Sequence, residues 1–405
     1  MTNNLRRFWQ AGHLPTLCCA FLYFDVSFMV WILLGAIGNH VAADFGLSTS
    51  QKGLMVALPL LGGAALRLVL GPLVDLMGAK RTGQLGLLLT LAPLLYGWRA
   101  CQTLTDVYLV GLLLGVAGAS FAVALPLASR WYPPEFQGLA LGIAGAGNSG
   151  TVLATLFAPR LAEAYGWRNV FGLALLPVLA CLVVFSLLTR ECPGGPRPEP
   201  LRKRLAILME PDLFHFGFMY AITFGGFVGL ASFLTIFYHD LYGLEKVRAG
   251  DFAALCIVAG SLLRPLGGYL ADRYGGATVL ARLYLAATAL LVALSFLPPL
   301  GCALPLVFGL LALLGMGNGA VFQLVPLRFR SNLGTATGII GAAGGVGGFF
   351  LPFWLGLTRD LTGSYGTGLA ILACVAMGGA ALLFKVRPIW QRGFLDAHAG
   401  AGVGS

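Results

Sequence analysis

"GAALRLVLGPLVDLMG" (residues 63–78) and "GSLLRPLGGYLADRYG" (residues 260–275) are two copies of one pattern. Laid over each other, Gly63 meets Gly260, Arg67 meets Arg264, Gly71 meets Gly268, Asp75 meets Asp272 and Gly78 meets Gly275. Each copy sets an arginine in a run that otherwise reads as membrane. The register extends outward from there. Tyr23 meets Tyr220, and Gly115, Pro126 and Arg130 meet Gly315, Pro326 and Arg330. Further on, "GIAG" (142–145) meets "GIIG" (338–341). The chain is a duplication.

Composition names the solvent. Of 405 residues, 58% are hydrophobic and 10% charged, with a mean hydropathy of +0.84. A soluble domain carries roughly 25% charged residues, so this chain cannot cover itself with a polar surface. Apolar runs of about 20 residues, enough to cross a bilayer core of ~30 Å, recur along its length. They predict spans over 14–41, 52–76, 82–99, 105–129, 137–160, 168–189, 212–239, 249–271, 278–297, 303–327, 334–358 and 367–385. An even number of spans puts both termini on one side. Most of the 26 lysines and arginines fall on that side, which the positive-inside rule assigns to the cytoplasm. The net charge of +10 is therefore topological, and it does not mark a nucleic-acid binder. The expected location is the cytoplasmic (inner) membrane, multi-pass.

Between the copies lies "RECPGGPRPEPLRKR" (190–204), whose proline, glycine and charge resist helix formation. The expected organisation is a six-helix half over 1–189, a cytoplasmic linker over 190–211, a second six-helix half over 212–386 and a short cytoplasmic tail over 387–405. The last stretch, "HAGAGVGS" (398–405), reads as disordered. Parallel duplicated halves of this kind are the pattern of major facilitator transporters, which bind substrate near the midplane between halves that rock about it. The fold class expected is all-α: an integral membrane protein with twelve transmembrane helices in two pseudo-symmetric halves. "GPLVDLMGAKR" (71–81) and "GYLADRYGG" (268–276) resemble the loop signature of that superfamily. Gly71 and Gly268 are expected to allow close helix approach. Asp75 and Asp272 stand at helix ends, where they can engage neighbours in one conformation and gate the path.

The eight cysteines form no CxxC pair and mostly sit in apolar runs, so they read as small buried hydrophobes. The five histidines form no metal-ligand spacing. No metal and no cofactor is expected. The first apolar run is too long for a cleaved signal peptide. No nucleophile–base pair or phosphate-binding loop suggests an enzyme.

A charged side chain at the bilayer centre costs on the order of 3 kcal/mol. Arg67 lies roughly 12 Å from the end of its helix at 1.5 Å per residue, too deep to snorkel comfortably. The only equally deep acid is Asp25, so two arginines cannot both be paired internally. Equivalent positions in the two halves face each other across the centre, and Arg67 and Arg264 are expected to converge there. Two planar donor forks in low dielectric suit a small, oxygen-rich anion. "GLALGIAGAGNSGT" (138–151) and "GTATGIIGAAGGVGGFF" (334–350) point to smallness. Glycine inside a helix costs about 1 kcal/mol relative to alanine. These runs either pack helices through small-residue contacts or let backbones close around a small ion, with Gly145, Gly147, Gly344 and Gly345 the candidates. Asn148 falls within the first run and can donate to an acceptor oxygen.

With these residues in hand the chain resembles the nitrate/nitrite porters of the major facilitator superfamily, the NarK/NasA type, over nearly its whole length. "GAGNSG" (145–150) and "GIIGAAGGVGGFFLP" (338–352) look like that family's two signatures. "YAITFGGFVG" (220–229) and "GASFAVALP" (118–126) are similar to its helix-seven and helix-four segments. The resemblance implies that Arg67 and Arg264 clamp the substrate and that Asn148 contacts it. It also implies that Phe121, Tyr220 and Phe224 line or sandwich the anion. The implied substrates are nitrate and nitrite, with the lipid bilayer as surroundings and a monomer as the working unit. Nitrate fits the residues: it is planar, with three equivalent oxygens and one delocalised charge.

"YFDVSFMVW" (23–31) adds a carboxyl. Asp25, with Tyr23 nearby, is either held by Ser27 or a neighbouring helix, or serves as a protonation site near the arginines. The import reading couples nitrate to protons; the alternative is exchange of nitrate for nitrite. A carrier of another small oxyanion or carboxylate, and a transport-inactive sensor, are the remaining alternatives.

Overall fold

The computed structural model describes residues 2–192, 206–329 and 333–392, and every regular element among them is helical. A short surface helix, Thr2–Ala11, precedes twelve long ones. The first half comprises α1 (Leu14–Trp31, continued by Leu33–Ala36 and Gly38–Phe45), α2 (Thr49–Met77), α3 (Ala79–Arg99), α4 (Leu104–Gly118 and Phe121–Ser129), α5 (Pro134–Gly145 and Gly150–Tyr165) and α6 (Trp167–Leu188). The second comprises α7 (Pro211–Tyr220 and Gly226–Tyr242), α8 (Lys246–Leu262 and Arg264–Tyr274), α9 (Gly276–Ser295), α10 (Leu300–Arg328), α11 (Leu333–Thr362) and α12 (Tyr365–Trp390). Among the described residues, 11 helices are long and apolar enough to cross a membrane. The remaining one, α3, is less apolar because Lys80, Arg81, Gln84 and Arg99 stand near its ends. It packs against α2, α4 and α6.

Several helices outrun the expected spans. The α2 helix starts at Thr49 because Ser48 and Gln51 close a capping box there, satisfying backbone donors in the first turn. The α12 helix continues to Trp390, beyond the expected end at 385. Its indole stacks on Phe216 at 4.7 Å and donates to Asp212 at 2.7 Å. Most of the linker, Arg330 and the tail from residue 393 onward lie outside the described residues.

The duplication is visible in the backbone. The α2–α3 turn and its counterpart between α8 and α9 hinge on Gly78 (φ 89°) and Gly275 (φ 84°), a region that side chains with a Cβ rarely enter. The α2–α4 crossing is tight at Gly62 and Gly115, and the α8–α10 crossing at their counterparts Gly260 and Gly315. A Cβ at Gly115 or Gly315 would collide with the facing backbone. Close approach was expected instead at Gly71 and Gly268. That expectation is corrected: no atom lies within 4 Å of a Cβ built at Gly71, and at Gly268 only the Gly319 carbonyl comes to 4.0 Å. The neighbouring Gly267 takes the tight contact, against the Met316 backbone. Gly115→Leu is accordingly expected to cost roughly 1–3 kcal/mol or more through overpacking. Thermal unfolding in detergent reads this as a lowered midpoint. Gly378→Leu, at a position with nothing within 4 Å, should leave it unchanged.

The halves meet through α2 with α11, α5 with α8 and α1 with α7. The near face carries the described chain ends, and the far face the α1–α2 and α7–α8 turns. Among the described residues the ion pairs joining the halves, Lys52–Asp240 and Arg160–Asp251, each at 2.7 Å, both lie at the far face. Asp360 of α11 adds to this seal by accepting the Thr49 and Ser50 amides at 3.2 and 2.8 Å, together with the Ser50 hydroxyl. At the near face the ion pairs among the described residues lie within one half. Asp75 takes Arg130 at 2.7 Å within the first half, and Arg328 takes Asp212 and Glu210 within the second. Asp272 is exposed, and Arg330, the sequence counterpart of the Arg130 that pairs with Asp75, is outside the described residues.

Candidate functional site

Most of the helix breaks, the one at Ile37 of α1 aside, gather around the arginines. They fall at Ile32 of α1, Ala119–Ser120 of α4, the 3₁₀ turn Ala146–Ser149 of α5, the π turn Ala221–Gly225 of α7 and Leu263 of α8. Interruptions of this kind release backbone groups from the helical ladder and frequently mark functional sites.

Arg67, in the middle of α2, is 1% exposed. Its Nε donates to the Gly118 carbonyl at 3.0 Å, and its Nη1 to the Gly341 carbonyl of α11 at 2.5 Å. The Gly118 carbonyl is free for this because α4 breaks there: the Ala122 amide bonds Ala119 instead. Three rings surround the guanidinium, with Trp31, Phe121 and Phe224 centroids at 5.2, 5.3 and 5.0 Å. Each such contact contributes roughly 0.5–2 kcal/mol, which offsets part of the burial cost. Neither the carbonyls nor the rings cancel the charge. Nη2 remains buried without a hydrogen-bond partner in the protein.

Arg264 opens the second segment of α8, where Pro265 supplies no backbone donor and the helix restarts. Its guanidinium carbon lies 6.0 Å from the Phe121 ring and 5.8 Å from Phe322. One nitrogen, Nη1, is buried and unpartnered. Arg67, Arg264 and Tyr220 are close enough to interact electrostatically. Among the described residues neither arginine meets a carboxylate.

Tyr220 precedes the π turn of α7 and Phe224 lies within it, and the two rings stack at 4.9 Å with an 8° interplanar angle. The Tyr220 hydroxyl is buried beside the Arg264 guanidinium, outside good hydrogen-bond geometry. Gly344 makes room for both rings, since a Cβ there would lie 2.6 Å from Tyr220 and 3.0 Å from Phe224. Gly145 sits beside the other arginine, where a Cβ would come within 3.7 Å of the Arg264 guanidinium carbon. Gly147 packs on Phe24 and Gly345 on Ala64, each allowing its helix to approach a neighbour closely. Asn148, in the 3₁₀ turn, is 0% exposed, with neither amide atom bonded.

Asp25 reaches the same turn. Its carboxylate accepts the Ser149 hydroxyl at 2.5 Å and is 8% exposed, so a neighbouring helix holds it and Ser27 does not. Tyr23 does not join it. Positions two apart face opposite sides of a helix, and Tyr23 packs on Phe185 and Gly86 of α6 and α3. Trp31 and Phe322 belong to the aromatic wall, although neither was singled out in the sequence. Phe322 falls one position off the repeat, since the residue matching Phe121 is Val321, and this hides it from the duplication argument.

The arrangement is chemically one-sided. Unpaired guanidinium nitrogens, an amide and a phenol supply donors, and flat rings supply walls. Such a set holds a small planar anion through charge-assisted hydrogen bonds and gives a cation no oxygen cage.

Known proteins share this plan. The sequence profile of the Major Facilitator Superfamily matches residues 19–352. A Mycobacterium tuberculosis protein named probable nitrate/nitrite transporter NarK2 is 36% identical over 87% of this chain and 91% of its own. The nitrite extrusion protein of Bacillus subtilis is 34% identical over 90% and 92%. A Thermus thermophilus protein named probable nitrate/nitrite antiporter NarK1 is 31% identical over 87% of each chain. Among solved structures, a bacterial homologue of the human lysosomal transporter Spinster, inward-facing and occupied, superimposes with a TM-score of 0.66. It is 17% identical and covers 92% of this chain and 96% of its own, a likeness of fold. Matched by the superfamily profile and by relatives along nearly its full length, the chain belongs to the major facilitator superfamily and, within it, to the nitrate/nitrite porter family.

Proposed function

We propose that this protein imports nitrate, and accepts nitrite, across the cytoplasmic membrane by alternating access, with proton coupling. The observation that carries the reading is the uncancelled charge of Arg67 and Arg264, buried or half-buried among rings with donors left over. Arg67 and Arg264 hold the anion's oxygens, Asn148 and Tyr220 donate to it, and Phe121 and Phe224 cover its faces. The names of the relatives support nitrate and nitrite as the anions. Asp75 and Asp272 gate the near face, which the positive-inside rule assigns to the cytoplasm. The two halves rock as units about the site, and the monomer is the working form.

Charge counting supports the coupling. Two arginines and an ionised Asp25 leave the empty site at +1. Nitrate plus a proton on Asp25 also leaves +1. The two forms that must reorient during symport therefore carry equal charge, and neither bears an extra burial cost. An empty site with Asp25 neutral would carry +2 and resist closure at a cost of about 3 kcal/mol. Exchange of nitrate for nitrite needs no empty form.

Proteoliposomes test this directly. Nitrate uptake is expected under an inward proton gradient without internal nitrite. Uptake that requires internal nitrite and ignores the gradient would replace symport by exchange. Absence of uptake under both conditions, from folded protein, would remove the substrate assignment.

A further inference from the structure

Asn318 is as isolated as Asn148, and nothing so far uses it. It lies in α10, 1% exposed, with both amide atoms buried and unbonded within the protein. Its neighbours face the site. Gly319 packs on the Arg264 backbone and Gly317 on Thr223 of α7. Phe322, one turn along the same helix face, lies 5.8 Å from the Arg264 guanidinium and 4.9 Å from Tyr220.

The duplication says what belongs at this position. Arg67 is oriented by two acceptors, the Gly118 and Gly341 carbonyls. In the register that pairs Gly115 with Gly315 and Pro126 with Pro326, Gly118 corresponds to Asn318. In the "GIAG"–"GIIG" register, Gly341 corresponds to Gly145, already beside Arg264. The halves differ at this position. The α4 helix breaks after Gly118 and frees its carbonyl, whereas α10 runs unbroken from Leu300 to Arg328. Inside an unbroken helix the carbonyl of residue 318 belongs to the helical ladder. An acceptor for Arg264 at this position has to come from the side chain, and asparagine supplies a carbonyl oxygen on a short stem.

We infer that Asn318 is a positioning residue for Arg264: its Oδ1 accepts from the guanidinium as the halves close on the anion, as the Gly118 carbonyl does for Arg67. The inference rests on the reading of the two arginines as the anion's ligands.

Nitrate binding to the purified full-length protein by titration calorimetry, with uptake kinetics in proteoliposomes, tests it. Asn318→Leu keeps the shape and removes the acceptor. Its Kd for nitrate is expected to rise about tenfold, the scale of one hydrogen bond to a charged group. KM should follow with Vmax kept, and thermal stability without nitrate should be equal or higher because an unbonded amide is gone. Asn318→Asp sets a carboxylate against Arg264, where it competes with the anion, so its loss should exceed that of Asn318→Leu by at least roughly tenfold. A Kd for Asn318→Leu within twofold of wild type, or an Asp variant no worse than Leu, overturns the inference. Should Asn318→Leu not fold, Asn318→Ser is judged by the same threshold. Arg264→Lys in the same assay separates the two readings. If it binds like wild type, the ligand assignment itself fails; if it loses binding while Asn318→Leu does not, only the role of Asn318 falls.

Discussion

Arg67→Lys is expected to weaken nitrate binding by roughly 100-fold, about 3 kcal/mol, in a protein that still folds. The charge survives the substitution; the geometry does not. Arg67 spends Nε on Gly118 and Nη1 on Gly341, and these bonds aim the remaining nitrogen while three rings hold the plane of the guanidinium. A lysine ammonium is a compact point charge on a flexible stem. It can satisfy one carbonyl or meet the anion, but it cannot hold a fixed fork between α4 and α11. Titration calorimetry on the monodisperse variant measures the loss. Wild-type affinity in Arg67→Lys would show that charge alone recruits the anion and would end the clamp reading.

Asp25→Asn should separate net uptake from exchange. Asparagine keeps a partner for the Ser149 hydroxyl, which now bonds the carboxylate at 2.5 Å, so the α1–α5 contact survives. The charge count changes. The empty site becomes +2 in every cycle, and its return is slowed by the cost of one added buried charge, about 3 kcal/mol or roughly 100-fold. Proton-driven net uptake should therefore fall at least tenfold even after local relaxation. Nitrate-for-nitrite exchange, which never passes through the empty form, should stay within about threefold, since the loaded site keeps its +1. The two rates are read from the same vesicles. Equal loss of both would make Asp25 a structural support for the broken α5. No loss of either would remove it from the mechanism.

How much of this was legible beforehand depended on whether a property belongs to a residue or to a juxtaposition. The spans follow from apolar run length, the duplication from Gly63, Arg67 and Gly78 recurring as Gly260, Arg264 and Gly275. The turn glycines at 78 and 275 have positive φ in both halves, so identical residues mark identical backbone. The excess of buried positive charge was also legible, because two deep arginines outnumber the one deep acid. Asn148 and the Tyr220–Phe224 pair were legible through spacing and the family signatures.

Other parts were not. Gly71 carries the same residue type as Gly62, yet only the latter meets another backbone. A glycine records that space is needed without saying on which side. Tyr23 looked like a partner for Asp25 by proximity in sequence, but two residues of helix turn it to α3 and α6. Main-chain acceptors leave no trace in composition. The Gly118 carbonyl orients Arg67 only because α4 breaks at Ala119–Ser120, and the Gly341 carbonyl only because α11 of the other half lies against α2. Trp31 and Phe322 entered the aromatic wall in the same way, from helices whose patterns read as ordinary membrane spans.

The sequence by itself thus determined that this protein lives in a bilayer as two copies of one six-helix unit with a positive charge buried in each. These are consequences of run length, repetition and the cost of burying charge, and they do not depend on packing. Tertiary structure alone decided that the two charges are treated unequally. Arg67 is held by carbonyls from both halves and Arg264 by neither; α10 is continuous where α4 is broken, and α8 breaks beside Arg264 where α2 runs on past Arg67. Helix continuity at a single level depends on how neighbouring helices press upon it, and that is settled only when all of them are in place.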